Sequence, residues 1–298
     1  MRALLFSVVC GLFAGCGGNW STTDLTFASA LPRREEFKVH LPVGTTATEG
    51  EPAGSWAQTR AAATAYNGIL DAVLTLVDQL RLLAPTTRTA DSRTWGPFDD
   101  ANNPGRQVQL VITRSDETHF EWHIDSKPSN GAFLRMFTGT YDVTDSARAG
   151  VGRIVVAVKD FRDVLAVDDT FKQLDEISLD YGTAAFPKFA SMGFAFKAGG
   201  SSTLSRLGYS SFVQPDGSGL LRFSVASPGP EVTELELESR WKPTGEGRSV
   251  GLVRAGTQQA FTVTECWGTG FTLVYSAQSW PGGVTSGTEA ACATVDGF

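Results

Sequence analysis

The chain has 298 residues, 42% of them hydrophobic and 19% charged, and a formal net charge of −7 at pH 7. No clustered Lys and Arg stand out against that acidic balance, which excludes the electrostatic footprint of a nucleic-acid-binding protein. The length is ample for a hydrophobic core.

Residues 1–15 carry one positive charge, Arg2, then an apolar stretch that closes on small residues before Cys16. A membrane-spanning helix needs roughly 20 apolar residues, so this shorter run reads as an export signal peptide. Leu12-Phe13-Ala14-Gly15-Cys16 resembles a bacterial lipobox. The resemblance implies cleavage before Cys16, diacylation of that cysteine and a lipid anchor in a membrane. Each buried acyl methylene contributes about 0.8 kcal/mol to such an anchor. Phe13 stands where the lipobox has leucine, so ordinary secretory cleavage is the alternative. By resemblance to lipoprotein sorting rules, Gly17 after the cysteine points to the outer membrane of the bacterial envelope.

Residues 16–55 are rich in Thr, Ser, Gly and Pro and read as a lipidated N-terminus, a tether and a first strand at Phe37-Lys38-Val39-His40-Leu41. Residues 56–84 are the one long helical pattern. Ile69, Leu70, Val73, Leu76, Val77, Leu80 and Leu83 form an apolar stripe, and Pro85 ends it. Such a stripe has to be buried, and a sheet is the expected partner.

After Trp95-Gly96-Pro97, strands are expected near 106–114, 118–126, 132–143, 151–158, 173–181, 189–197, 204–213, 219–226, 232–241, 248–254, 259–267 and 271–276. A short helix is expected at 160–172. Short turns such as Pro215-Asp216-Gly217 and Gly245-Glu246-Gly247 separate many of the strands. The spacing predicts a mainly β fold: an antiparallel barrel-like or strongly curved meander sheet with one long amphipathic helix, in a single β-rich domain over 56–298. From Val232 to Trp241 the alternation places Leu235, Leu237, Ser239 and Trp241 on one face and Glu234, Glu236, Glu238 and Arg240 on the other.

His119, Glu121, His123 and Asp125 share one face of an expected strand, with Phe120, Trp122 and Ile124 on the other. Imidazole and carboxylate at alternate positions suit zinc or a similar divalent metal, so His119, Glu121 and His123 are the candidate ligands. An amphipathic strand with a wet face explains the same pattern. Asp99-Asp100 and Asp168-Asp169 read as solvated turns, and no nucleophile, Walker or dinucleotide motif is present. The 7 Trp, 19 Phe and 5 Tyr could line a ligand cavity or fill a solid core. With Cys10 removed in the signal and Cys16 lipidated, Cys266 and Cys292 remain to form a disulfide in an oxidising compartment.

Trp95-Gly96-Pro97, Arg240-Trp241 with Gly245-Glu246-Gly247-Arg248, and Glu265-Cys266-Trp267 with the late Cys292 resemble an uncharacterised myxobacterial lipoprotein family. That group has an aspartate where this chain has Gly268, and the resemblance implies no assigned activity or catalytic residue. The expectation is a lipid-anchored envelope protein without catalysis, whose β domain binds an apolar small molecule or an envelope protein partner and needs no cofactor. The alternative is a metal-binding protein or metal-dependent enzyme built on His119, Glu121 and His123.

Overall fold

The computed structural model describes residues 20–43, 52–100, 103–128, 130–146, 148–165, 172–197, 204–226, 234–254 and 260–295. The expected signal peptide, Cys16, Gly17, Asp168, Asp169 and Val232 lie outside the described residues. The fold is mainly β, an antiparallel meander with one long helix. Its contacts divide it into two compact units, one from Met1–Phe37 and Ile69–Ala185, the other from Lys38–Gly68 and Phe186–Phe298.

The first unit holds helix α1 (Thr22–Ser29), the C-terminal part of helix α2 (Gly54–Arg81), strands β1 (Thr87–Arg88), β2 (Ser92–Asp99), β3 (Gln107–Arg114), β4 (His119–Lys127), β5 (Leu134–Ser146) and β6 (Ala149–Val156), the one-turn helix α3 (Val158–Phe161) and β7 (Leu174–Gly182). The second holds the N-terminal part of α2 and strands β8 (Lys188–Lys197), β9 (Leu204–Val213), β10 (Gly219–Ala226), β11 (Glu234–Trp241), β12 (Gly247–Arg254), β13 (Phe261–Trp267), β14 (Leu273–Gln278) and β15 (Thr285–Gly287). Within each unit every strand pairs antiparallel with the next in sequence. Among the described residues no pairing joins β1 to β7 or β8 to β15, so neither run closes into a barrel.

Four expectations need correction. Phe37–Leu41 forms no strand, because the backbone N–H and C=O of Val39 bond instead to the side-chain amide of Asn67 on α2, at 2.9 Å each. Residues 22–29, expected to be tether, form α1. The Trp95-Gly96-Pro97 segment lies inside β2, where the register jumps between Trp95 and Phe98; this bulge accommodates a proline and a glycine at φ +96°. Of the helix expected over 160–172, residues 162–165 form turns after α3 and Lys172 is helical, while residues 166–171 are outside the described set.

Helix α1 has weak amphipathicity of its own and is held by charge. Ser21 caps it in a reciprocal box with Asp24, whose carboxylate is fully buried. Arg93 Nε donates to Asp24 at 2.6 Å and Arg88 Nε at 3.0 Å, while the Arg93 guanidinium lies 4.6 Å over the Phe27 ring. Burial pushes the Asp24 carboxyl up, but the Ser21 N–H, Arg93, Arg88 and the Ser21 hydroxyl outweigh it and hold it at about 2.

Aromatic side chains fill the interior, and four of those paired across strands with glycine press directly on it. Trp122 faces Gly139, Tyr181 faces Gly152, Trp241 faces Gly219, and Trp267 faces Gly247. In each case a Cβ on the glycine would overlap the ring. The glycine is required by close approach, and the aromatic ring shields the backbone it leaves bare.

Gly139→Ala is therefore expected to destabilise the fold by about 2 kcal/mol or more, through overpacking against a buried indole. Gly68→Ala, in mid-helix with nothing near its added methyl, is expected to stabilise it by roughly 0.5–1 kcal/mol. Urea denaturation midpoints check both signs. Asp24→Asn is expected to lose about 3 kcal/mol at neutral pH, because it leaves the Arg93 charge buried without its partner. The wild-type advantage should persist above the ordinary aspartate value and disappear as the pH falls through about 2.

Candidate functional site

Strand β4 places the histidines as its alternation dictates. Phe120, Trp122 and Ile124 are buried, and His119, Glu121 and His123 lie on the opposite, wetter face. Cross-strand partners then separate the two imidazoles. His119 faces Asp142 on β5, and its Nδ1 lies 2.5 Å from that carboxylate, with Nε2 3.6 Å from Glu121. His123 lies between Val111 and Thr138, and its Nε2 is 3.3 Å from Asp125. Asp125 is buried and also meets Arg135 at 3.0 Å and Gln109 at 3.2 Å.

Both imidazoles are thus engaged with carboxylates. Among the described residues no group of three or more His, Cys, Asp or Glu side chains is arranged to hold a metal. The two rings titrate in opposite senses. The hydrogen bond that its ring donates to the Asp142 carboxylate raises His119 above the ordinary histidine value, and burial lowers His123 despite the charge of Asp125.

The second unit offers a different kind of site. The N-terminal part of α2 lies along its sheet, and its start is fixed by Glu265 of β13, whose carboxylate accepts the Ser55 N–H at 2.7 Å. Trp56 stacks on Phe271 at 4.3 Å and packs on Trp267 at 5.3 Å. Beneath the helix the ladders align Ala190, Ser211, Leu221, Ser239 and Ser249 in one row, all buried. Thr59 of α2 meets Ser239 at 2.6 Å, Ser239 meets Ser249 at 2.7 Å, and Ser211 bonds to the Tyr66 hydroxyl at 3.3 Å.

The next two rows are apolar. Tyr209, Phe223, Leu237, Gly251 and Val263 form one; Leu207, Val225, Leu235, Val253 and Phe261 form the other. Leu235 and Val253 remain 37% exposed. Between these rows and the helix runs a groove of about 400 Å³, whose helical wall is Gln58, Ala61, Ala62 and Ala65 and whose sheet wall includes Tyr209, Phe223, Leu235 and Leu237. That volume is within the range of small-molecule sites.

The aromatic residues split between the two uses open to them. Trp95, Trp122, Trp241 and Trp267 are fully buried, while Phe223 and Tyr209 line the groove. The alanines of the helical wall were not singled out from the sequence, although the run Ala61-Ala62-Ala63 ahead of the leucine-rich half of the helix was a legible sign of a thin wall. The Cys266–Cys292 disulfide is formed, with Cα atoms 5.3 Å apart. No helix among the described residues is long and apolar enough to cross a membrane. No family model, curated protein or solved structure matches the chain.

The His119–Asp142 pair contributes stability that is present below the ordinary histidine value of about 6.5 and is lost as pH rises through the raised folded value. Asp142→Asn should therefore lower the denaturation midpoint more at pH 5.5 than at pH 9. An equal loss at both values would show that the pair is not protonation-linked.

Proposed function

We propose that the protein is a non-catalytic binding protein of the bacterial envelope that holds an apolar, acyl-chain-like small molecule in the groove beside α2. One observation carries this reading: two consecutive apolar rows of the second unit's sheet remain partly exposed, most of all at Leu235 and Val253, beside a helix face rich in alanine. Apolar rows left in contact with water cost free energy, about 25 cal/mol for each Å² that a ligand could cover. The groove's walls offer Tyr209, Phe223, Leu235 and Leu237 to a hydrocarbon body and few charges to fix a polar one.

In the same proposal the chain is exported, cut before Cys16 and anchored by lipid on that cysteine in the outer membrane. The lipobox-like Leu12–Cys16 segment and Gly17 support this, and the Cys266–Cys292 pair suits an oxidising compartment. An anchor would place the groove within reach of lipid acyl chains. The likeness to a myxobacterial lipoprotein family enters at this level, as support for the address and not for an activity.

The test uses the neutral fluorophore N-phenyl-1-naphthylamine with the purified protein. Saturable binding at one site is expected, weakened at least tenfold by Leu237→Glu or by Ala62→Trp, which fills the groove from the helix side. Binding that is absent, or equal in both folded variants, would overturn the reading.

A further inference from the structure

On the other face of the second unit's sheet, away from the groove, the rows run Leu220, Arg240, Arg248, Cys266 and Tyr275, and beside it Arg222, Glu238, Val250 and Thr264. The disulfide from Cys266 to Cys292 ties the segment Glu289–Val295 over these strands, and Cys266 is fully buried as a result. The strap and the sheet border a partly open chamber of about 510 Å³, lined by Glu238, Arg240, Arg248 and Val250 below and by residues 289, 290 and 292–295 above.

The chamber's charges are not matched one to one. Arg240 and Arg248 are direct cross-strand partners, an arrangement that like charges disfavour unless something is placed between them. Glu238 cannot serve both. One of its oxygens accepts from Arg240 Nε and Nη2 at 2.9 and 2.8 Å, and the other is taken by Arg222. Burial pushes the Glu238 carboxyl up, but these two guanidiniums hold it below the usual range, so it is ionised and fully engaged. Arg248 is left with Glu289 at 4.0 Å, and its buried Nε makes no hydrogen bond among the described residues. A buried guanidinium N–H without an acceptor calls for one, and the planar fork of arginine fits an oxyanion best. Around it Val250, Ala290, Ala293 and Val295 supply an apolar lining.

We infer that this chamber is a second binding site, for a small organic anion whose carboxylate or phosphate group lies against Arg248 and Arg240 and whose short apolar body meets Val250 and Val295. The site is independent of the groove, being on the opposite face of the sheet and recognising charge first. Binding should weaken with added salt, as an interaction anchored on a partly exposed guanidinium does.

Calorimetric titration of the full chain with benzoate, phenyl phosphate and inorganic phosphate tests this. One-site binding of benzoate or phenyl phosphate is expected, at least tenfold weaker in Arg248→Gln, and the tighter of the two identifies the acid group. Arg248→Lys, which keeps the charge and loses the fork, should fall between wild type and Arg248→Gln and serves where the glutamine variant does not fold. The inference is overturned if neither organic anion binds, if both arginine variants bind as wild type does, or if inorganic phosphate binds as tightly as phenyl phosphate.

Discussion

The second unit depends on how closely α2 can approach its sheet, and a row of small residues sets that distance. Ser211, Ser239 and Ser249 lie beneath the helix in one row with Ala190 and a single larger residue, Leu221. Their hydroxyls are not left unpaired in the interior. Thr59 accepts or donates to Ser239, Ser239 does the same with Ser249, and Thr59 also donates to the Ser55 carbonyl at 2.7 Å. A chain of satisfied hydroxyls suits a close contact better than isolated ones, since each unsatisfied buried group costs about 1–3 kcal/mol. With the helix fixed there, and with Glu265 at its first turn, the apolar rows beyond the serine row are reached only by the alanine side of α2. The groove is what remains between a thin helix wall and a thick sheet wall.

The glycine–aromatic pairs solve a related problem. Four large rings lie flat over bare backbone, which fills space without lengthening the distance between layers. Their polar atoms fare unequally. Trp95 and Trp267 donate from Nε1 to the carbonyls of Leu83 and Gly245 at 2.7 and 2.9 Å. Trp122 and Trp241, each over its glycine, find no acceptor among the described residues. The two arrangements separate position from polarity: in the first pair the indole N–H helps choose the place of the ring, and in the second, shape alone holds it.

Much of this was legible in the sequence where one periodicity ruled. Strand bounds from β3 to β14 follow the alternation within about three residues, and the long helix at 54–81 was expected at 56–84. Legibility failed where local pattern and partner disagreed. Helix α1 has no apolar stripe, and its formation rests on Arg88 and Arg93, some 64 and 69 residues away, meeting Asp24. Phe37–Leu41 alternates like a strand, but at its centre both backbone groups of Val39 are taken by one asparagine. The histidine face of β4 was read correctly as a face, yet which groups meet on it is decided by register: His119 falls opposite Asp142 and His123 opposite Thr138, and no strand pattern contains that information. The groove was harder still, since it is defined by the absence of bulk on α2 as much as by aromatics on the sheet.

Strand β11 shows how tightly the two faces of the second unit are bound together. Leu235 and Leu237 wall the groove, Ser239 supports the helix and Trp241 covers Gly219, all on one face. Glu236, Glu238 and Arg240 carry the charge network on the other. A slip of one residue would exchange these sets, putting three charges under α2 and two leucines and a tryptophan into water. Each face therefore enforces the register that the other needs, and an apolar groove and a pocket lined by guanidiniums share eight residues of backbone without either being adjustable alone.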